Sequence, residues 1–340
     1  MLPAAKPIRE LHGLASGDLP GLGDSVLAAT EPLVLRGLLA HWPAVRAGRQ
    51  GAASADAYLR RFCRDATVNA MLGPPEIGGR FFYNEDMSGF NFNAVRARLD
   101  DVLQELARQR GNPQPPAVYV GSTTLEAALP GYCEENPLDL GARDALASIW
   151  IGNQTCIAAH YDLPDNLAVV TAGRRRFTLF PPGQLPNLYI GPLDLTPAGQ
   201  PISLVDLRQP DLARYPRFME AMGHAQAAEL APGDAIFIPS MWWHHVEALE
   251  SFNVLVNYWW RQSPAYMDTP VNALLLSLLA MRDLPPAQRA AWQDIFRHYV
   301  FEPGEETAAH IPAPARGVLG PMGEDTARML RAHLLRKINR

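Results

Sequence analysis

The segment Ser148-Ile149-Trp150-Ile151-Gly152-Asn153-Gln154-Thr155-Cys156-Ile157-Ala158-Ala159-His160-Tyr161-Asp162 decides the fold. An apolar run leads through a turn into a His-x-Asp pair, and side chains two apart on a strand share a face. About 80 residues later Trp242-Trp243-His244-His245 answers it. One histidine from a neighbouring strand would complete two imidazoles and a carboxylate on one face of an octahedron. That set leaves positions open on Fe(II) for a co-substrate and O2. His245-x-Glu247 repeats the His-x-acid pattern without such a lead-in.

Around the two half-motifs the text is short strands and turns. Asn166 to Thr171 and Arg176 to Phe180 read as strands hinged at Gly173, and Pro181-Pro182-Gly183 ends them. Ala231-Pro232-Gly233-Asp234 is a turn before the strand Ala235 to Ile238, and Phe252 to Trp260 is a further apolar strand. Such a series suits a jelly-roll barrel whose mouth holds a metal. Alternation sets His244, Val246 and Ala248 on one face of their strand and His245, Glu247 and Leu249 on the other. Glu247 is placed more easily at a solvated or polar face, so His244 is the inward candidate.

The stretch Ile149 to Trp260 resembles the cupin-like JmjC family of Fe(II)- and 2-oxoglutarate-dependent oxygenases, above all its asparaginyl-hydroxylase branch. The shared text is His160-Tyr161-Asp162, Asn166, Gly173 with a basic residue two further on, Leu179-Phe180-Pro181-Pro182, Pro232-Gly233-Asp234, Ile238-Pro239, Trp242-Trp243-His244-His245 and Val256-Asn257-Tyr258-Trp259. A looser likeness extends to Glu31–Gly37 and Trp42-Pro43. The resemblance implies a mainly β fold with flanking helices, a double-stranded β-helix with the triad at His160, Asp162 and His244, and a helical C-terminal extension. It places the anchor of the distal 2-oxoglutarate carboxylate at Arg175, where close relatives carry lysine. This chain has only Lys6 and Lys337, near its ends. Arginine still serves, being permanently charged and able to grip a carboxylate with two nitrogens. Asn166 and Asn257 match co-substrate positions, Tyr119 is assigned to the same carboxylate, and Thr155 stands in for a family threonine replaced here by Ile157. Tyr161, Trp242 and Trp259, with the loop from Leu188 to Arg217, are expected to line the substrate entrance.

The 340 residues are enough for one substantial core. The 31 prolines, above the usual share of about 5%, suit turns rather than long helices. Three parts are expected: 1–115 as a mixed α/β region supporting the barrel, 116–262 as the barrel, and 263–340 as helices that pair two copies or pack on their own barrel. Helices are expected from Ser54 (as cap) to Arg64, Phe92 to Arg108, Val271 to Met281, Pro286 to Tyr299 and Glu324 to Ile338. The N-terminus has no signal-peptide pattern, no apolar stretch is long enough to span a bilayer, and three cysteines form no disulfide framework; a reducing cytoplasm fits. Net charge of −5, with no basic stripe, argues against nucleic acid.

The expected reaction is hydroxylation of a protein side chain. Alternatives are a small molecule, an amino acid or tRNA as substrate, a cupin enzyme working without 2-oxoglutarate, and a catalytically silent metal- or peptide-binding cupin module. A peptide needs an open groove to the metal. A metabolite needs a cavity roofed by the Leu188–Arg217 loop.

Overall fold

In a computed structural model, residues 2–19 and 25–338 are described. Fifteen strands carry the fold: β1 (Lys6–Pro7), β2 (Arg9–Leu11), β3 (Leu33–Leu35), β4 (Thr67–Gly73), β5 (Arg80–Phe81), β6 (Asn93–Arg98), β7 (Ala117–Thr124), β8 (Leu146–Gly152), β9 (Cys156–His160), β10 (Asp165–Ala172), β11 (Arg175–Phe180), β12 (Gln226–Leu230), β13 (Ala235–Ile238), β14 (Trp243–Ala248) and β15 (Asn253–Trp260). One sheet runs β1-β12-β11-β14-β9-β5 and the other β2-β3-β13-β10-β15-β8-β7-β4-β6. These two sheets are the mainly β, jelly-roll architecture that the turn-punctuated strands imply.

The fully buried strands have the continuous apolar text of strands covered on both faces. All eight residues of β10 are buried, between β13 and β15. Gly173 joins β10 to β11 at φ 72°, in the left-handed region that glycine enters without cost. Behind the larger sheet the helices Pro43–Arg49, Ala52–Arg60 and Leu99–Gln109 close the main core around Trp42, Leu103 and Phe237. Gly48 lets the first of them touch β10, since a Cβ there would lie 1.8 Å from the Thr171 carbonyl oxygen.

The chain divides into two compact units, Met1–Gln262 and Ser263–Arg340. No break falls near residue 115, because β4, β6 and β7 continue the larger sheet beyond β8. The expected helix from Phe92 is a strand as far as Arg98, paired along its length with β4, and turns helical only at Leu99. Ladder pairing outweighed a helical pattern there. Ser54 caps nothing: its helix begins at Ala52 after Gly51, and its hydroxyl bonds Gln50 instead. The second unit holds helices Pro270–Met281, Pro286–Phe296 and Glu324–Ile338, with a π turn Arg297–Phe301 after the second. Among the described residues no helix is long and apolar enough to cross a membrane.

Candidate metal and co-substrate site

The antiparallel pairing of β14 with β9 sets His244 directly opposite His160, with a register shift between His244 and Val246. Their ring centroids lie 4.3 Å apart. Asp162 falls just past the end of β9, where its carbonyl accepts from the Met241 amide at 2.9 Å. The ligating atoms of His160, Asp162 and His244 all lie within 4.8 Å of one another.

Each ring is oriented by its own chain. His160 Nδ1 stands 2.9 Å from the Ala158 carbonyl and His244 Nδ1 3.0 Å from the Trp242 carbonyl. A carbonyl can only accept, so both Nδ1 atoms carry the proton and both Nε2 lone pairs are free for a metal. Burial, reinforced by the neighbouring His244, pushes the His160 imidazole down to about 4, which keeps it neutral and ligating. Asp162 Oδ2 accepts from Trp259 Nε1 at 3.1 Å and from Asn166 Nδ2 at 3.2 Å, which fixes the carboxylate plane. Asn166 and Trp259 are cross-strand neighbours on β10 and β15, so the sheet register itself delivers both donors. Two imidazoles and one carboxylate on one face are the donor set of an iron(II) oxygenase, and the residues fit that ion.

A cavity of about 230 Å³, partly open, contains all three. Arg175 also lines it, although only 2% of its surface is exposed. Its Nε and Nη2 have no hydrogen-bond partner among the described residues, and the buried Asn166 Oδ1 lacks one too. Burial lowers the Arg175 pKa, opposed by the adjacent Tyr119 phenol; burial pushes that phenol up to about 12, so it stays protonated as a donor. Arg174 and Arg176, alternate on the strand, instead face outward to Glu250 and Glu229. Asn257 lines the cavity, its Oδ1 accepting from Trp150 Nε1 at 2.7 Å.

Tyr119, Asn166, Arg175, Asn257 and Trp259 thus meet the triad in one cavity. Three expected residues do not. Thr155 precedes β9 and gives its carbonyl to the Ala248 amide, and apolar Ile157 lines the cavity in its neighbourhood. Tyr161 packs edge-on against Trp243, ring centroids 4.9 Å apart. Trp242 is buried in a core cluster and donates to the Thr30 carbonyl. From the expected Leu188–Arg217 segment, Pro197, Ala198, Gly199 and Ile202 line the cavity. Trp150 escaped sequence reading, although its place two residues after Ser148 on an apolar strand carried the face signal.

His245 is not at a solvated face. It is 2% exposed and shares a second cluster with Cys156 and Glu247, whose ligating atoms also lie within 4.8 Å. Glu247 is already bonded by Arg208 at 2.9 Å, with Arg176 at 3.7 Å. Those guanidiniums disfavour a cation there, so the two clusters differ in electrostatics more than in ligand type.

A family model for the cupin-like domain matches residues 22–266. The chain is 34% identical over 143 residues to "Lysine-specific demethylase JMJ31" of Arabidopsis thaliana (40% of this chain, 25% of that protein). It is 36% identical over 106 residues to "tRNA wybutosine-synthesizing protein 5" of Homo sapiens (31% and 30%). It is 27% identical over 245 residues to "Lysine-specific demethylase 8" of Xenopus tropicalis (70% and 49%). The chain spans between a quarter and half of the length of these relatives.

Proposed function

The chain belongs to the cupin-like family of JmjC type, and from that membership and the cavity's geometry we propose an Fe(II)- and 2-oxoglutarate-dependent oxygenase that hydroxylates a protein side chain. The observation that carries the reading is Arg175. A buried guanidinium with two nitrogens lacking partners, in the cavity that holds a two-histidine, one-carboxylate face, calls for an anion. A dicarboxylate whose 2-oxo acid end reaches the metal and whose far end reaches Arg175 supplies it.

In this reading His160, Asp162 and His244 hold iron, which supplies activation of O2. The remaining work is done by the chain. Arg175 and the protonated Tyr119 phenol hold the distal carboxylate, Trp259 and Asn166 keep the Asp162 carboxylate in plane, and the apolar walls exclude water. One oxygen atom goes to the substrate and one to succinate, with release of CO2.

The test is Arg175→Ala. Mixed anaerobically with Fe(II) and 2-oxoglutarate, the parent protein is expected to show the visible absorption of a chelated 2-oxo acid. The variant should need tens- to thousands-fold more 2-oxoglutarate, matching the roughly 2–5 kcal/mol cost of leaving a buried charge without its partner. Unchanged 2-oxoglutarate dependence would defeat the assignment. Arg174→Ala, whose side chain is solvated, should change little.

Small-molecule hydroxylation is the second reading, favoured by the turn residues Pro197–Gly199, which help to enclose the cavity. Likeness to a tRNA-modifying protein covers 31% of the chain, and the net charge of −5 does not favour a polyanion. We also propose that two copies pair through the C-terminal unit. None of the twelve residues of Pro270–Met281 is buried, although the helix is apolar on every side.

A further inference from the structure

Resting on the 2-oxoglutarate reading, we infer that the substrate presents an uncharged side chain to the metal, as one short projection of a larger molecule. Methylated lysine, arginine, acidic side chains and free amino acids are then excluded. The lining of the cavity carries the inference. Among the described residues its only ionisable ones of strong charge, or metal-ligating, are His160, Asp162, His244 and Arg175, and all four are committed. A divalent ion, one aspartate, one arginine and a doubly charged co-substrate cancel, so the loaded cavity has no charge left to offer. A cationic or anionic reacting group would be buried without a counter-ion.

The rest of the lining is neutral, Phe81, Gly121, Ser122, Ala198 and Ile202 among it. The aromatic rings do not form a cage for an ammonium group. Tyr119 stacks on Trp150 at 5.9 Å, and Trp150 meets Trp259 edge-on at 5.8 Å. The indole nitrogens of both tryptophans are tied down by Asn257 and Asp162. Rings that lean on one another present few free faces to a cation.

Size limits the substrate further. A volume of about 230 Å³ lies below the ~300–1,000 Å³ of sites that engulf a whole drug-sized ligand, and 2-oxoglutarate must share it. An amino acid would also need counter-ions for its ammonium and carboxylate, and the lining has no charged group to spare. The cavity is partly open, so the body of the substrate stays outside while one side chain enters. There a C–H bond becomes C–OH with one atom of O2, while the other atom oxidises 2-oxoglutarate to succinate and CO2.

The test uses synthetic peptide pools with degenerate flanks and one fixed central residue: Asn, Leu, Asp, Lys, Arg or trimethyllysine. Free amino acids are assayed in parallel. With the iron-loaded full chain, 2-oxoglutarate and O2, mass spectrometry reads oxygen gained on the fixed residue. With Mn(II) in place of iron, fluorescence anisotropy reads binding without turnover. Oxygen gain and binding should favour the Asn or Leu pool by about tenfold or more over every charged pool. Preference for a charged pool, oxidation of a free amino acid, or silence of all pools would overturn the inference. The anaerobic Fe(II)–2-oxoglutarate absorption separates the two readings. Its presence beside such a result leaves the co-substrate reading standing, whereas its absence removes both. Ser122→Asp adds a carboxylate to the lining and should raise Lys-pool binding about tenfold; no change would mean that charge does not set the selection.

Discussion

Between His244 and His245 the difference of one position separates the histidine that meets His160 and Asp162 from one that packs against Cys156. Both are buried, but His244 Nδ1 is tied to the Trp242 carbonyl and its Nε2 lies 3.6 Å from Asp162 Oδ2, whereas His245 Nε2 lies 3.7 Å from the Cys156 sulfur. His244→Ala should abolish iron binding, measured as metal retained after gel filtration, and with it turnover. His245→Ala should keep both, at a cost in stability. The pH dependence follows from the same burial, which pushes His245 down to about 4 from an ordinary value near 6.5. Its folded-state pKa lies below the unfolded one, so the unfolded chain takes up the proton first. That share of stability is present above pH ~6.5 and is lost as pH falls through about 4, at most roughly 3 kcal/mol. Denaturant unfolding of the metal-free protein across that window should show the loss, and His245→Phe should flatten it. Alternation in the sequence set His244 inward on the premise of a solvated or polar outer face; that face is polar, carrying Arg208 and Glu247, but His245 on it is buried.

At the scale of elements, the hairpin from β10 to β11 ties the two halves of the co-substrate site. Gly173 turns the chain so that Asn166 and Ala168 on one strand and Arg175 and Phe177 on the other line the same cavity. A Cβ at Gly173 would fall 2.3 Å from Asn253 Oδ1 and 2.6 Å from the Phe252 carbonyl oxygen, at a φ of 72°. Gly173→Ala should therefore destabilise by at least about 2 kcal/mol and weaken 2-oxoglutarate binding through displaced Arg175; urea titration and the anaerobic absorption read the two effects. An unshifted unfolding midpoint would contradict this account. Most of these strands were legible, since turn residues and apolar runs mark β10, β13 and β15 to within a residue or so. The strand Asn93–Arg98 was not, because nothing local distinguishes it from the start of the helix that follows.

At the scale of the whole molecule, the second unit carries large apolar side chains in the open. Leu279 is 79% exposed and Phe301 74%, and exposed apolar surface beyond scattered single residues marks interaction sites. The protein is expected to run as a dimer in light scattering coupled to gel filtration. Leu279→Glu with Phe301→Glu should shift it toward the monomer while leaving the Fe(II)–2-oxoglutarate absorption intact. A wild-type monomer at micromolar concentration would remove the pairing proposal.

The residue pattern alone determined the jelly-roll class and which residues to place together, His160, Asp162 and His244 from strand period and Arg175 from the family resemblance, and the cavity holds all four. Only the tertiary structure decided what lies between the motifs. Register across β10 and β15 brought Trp259 and Asn166 onto Asp162, and pairing of β7 with β8 brought Tyr119 and Trp150 to the cavity wall. It also sent Thr155, Tyr161 and Trp242 elsewhere. Those outcomes depend on which chain segments meet across a sheet or a core, and contacts between residues distant in sequence leave no period in it.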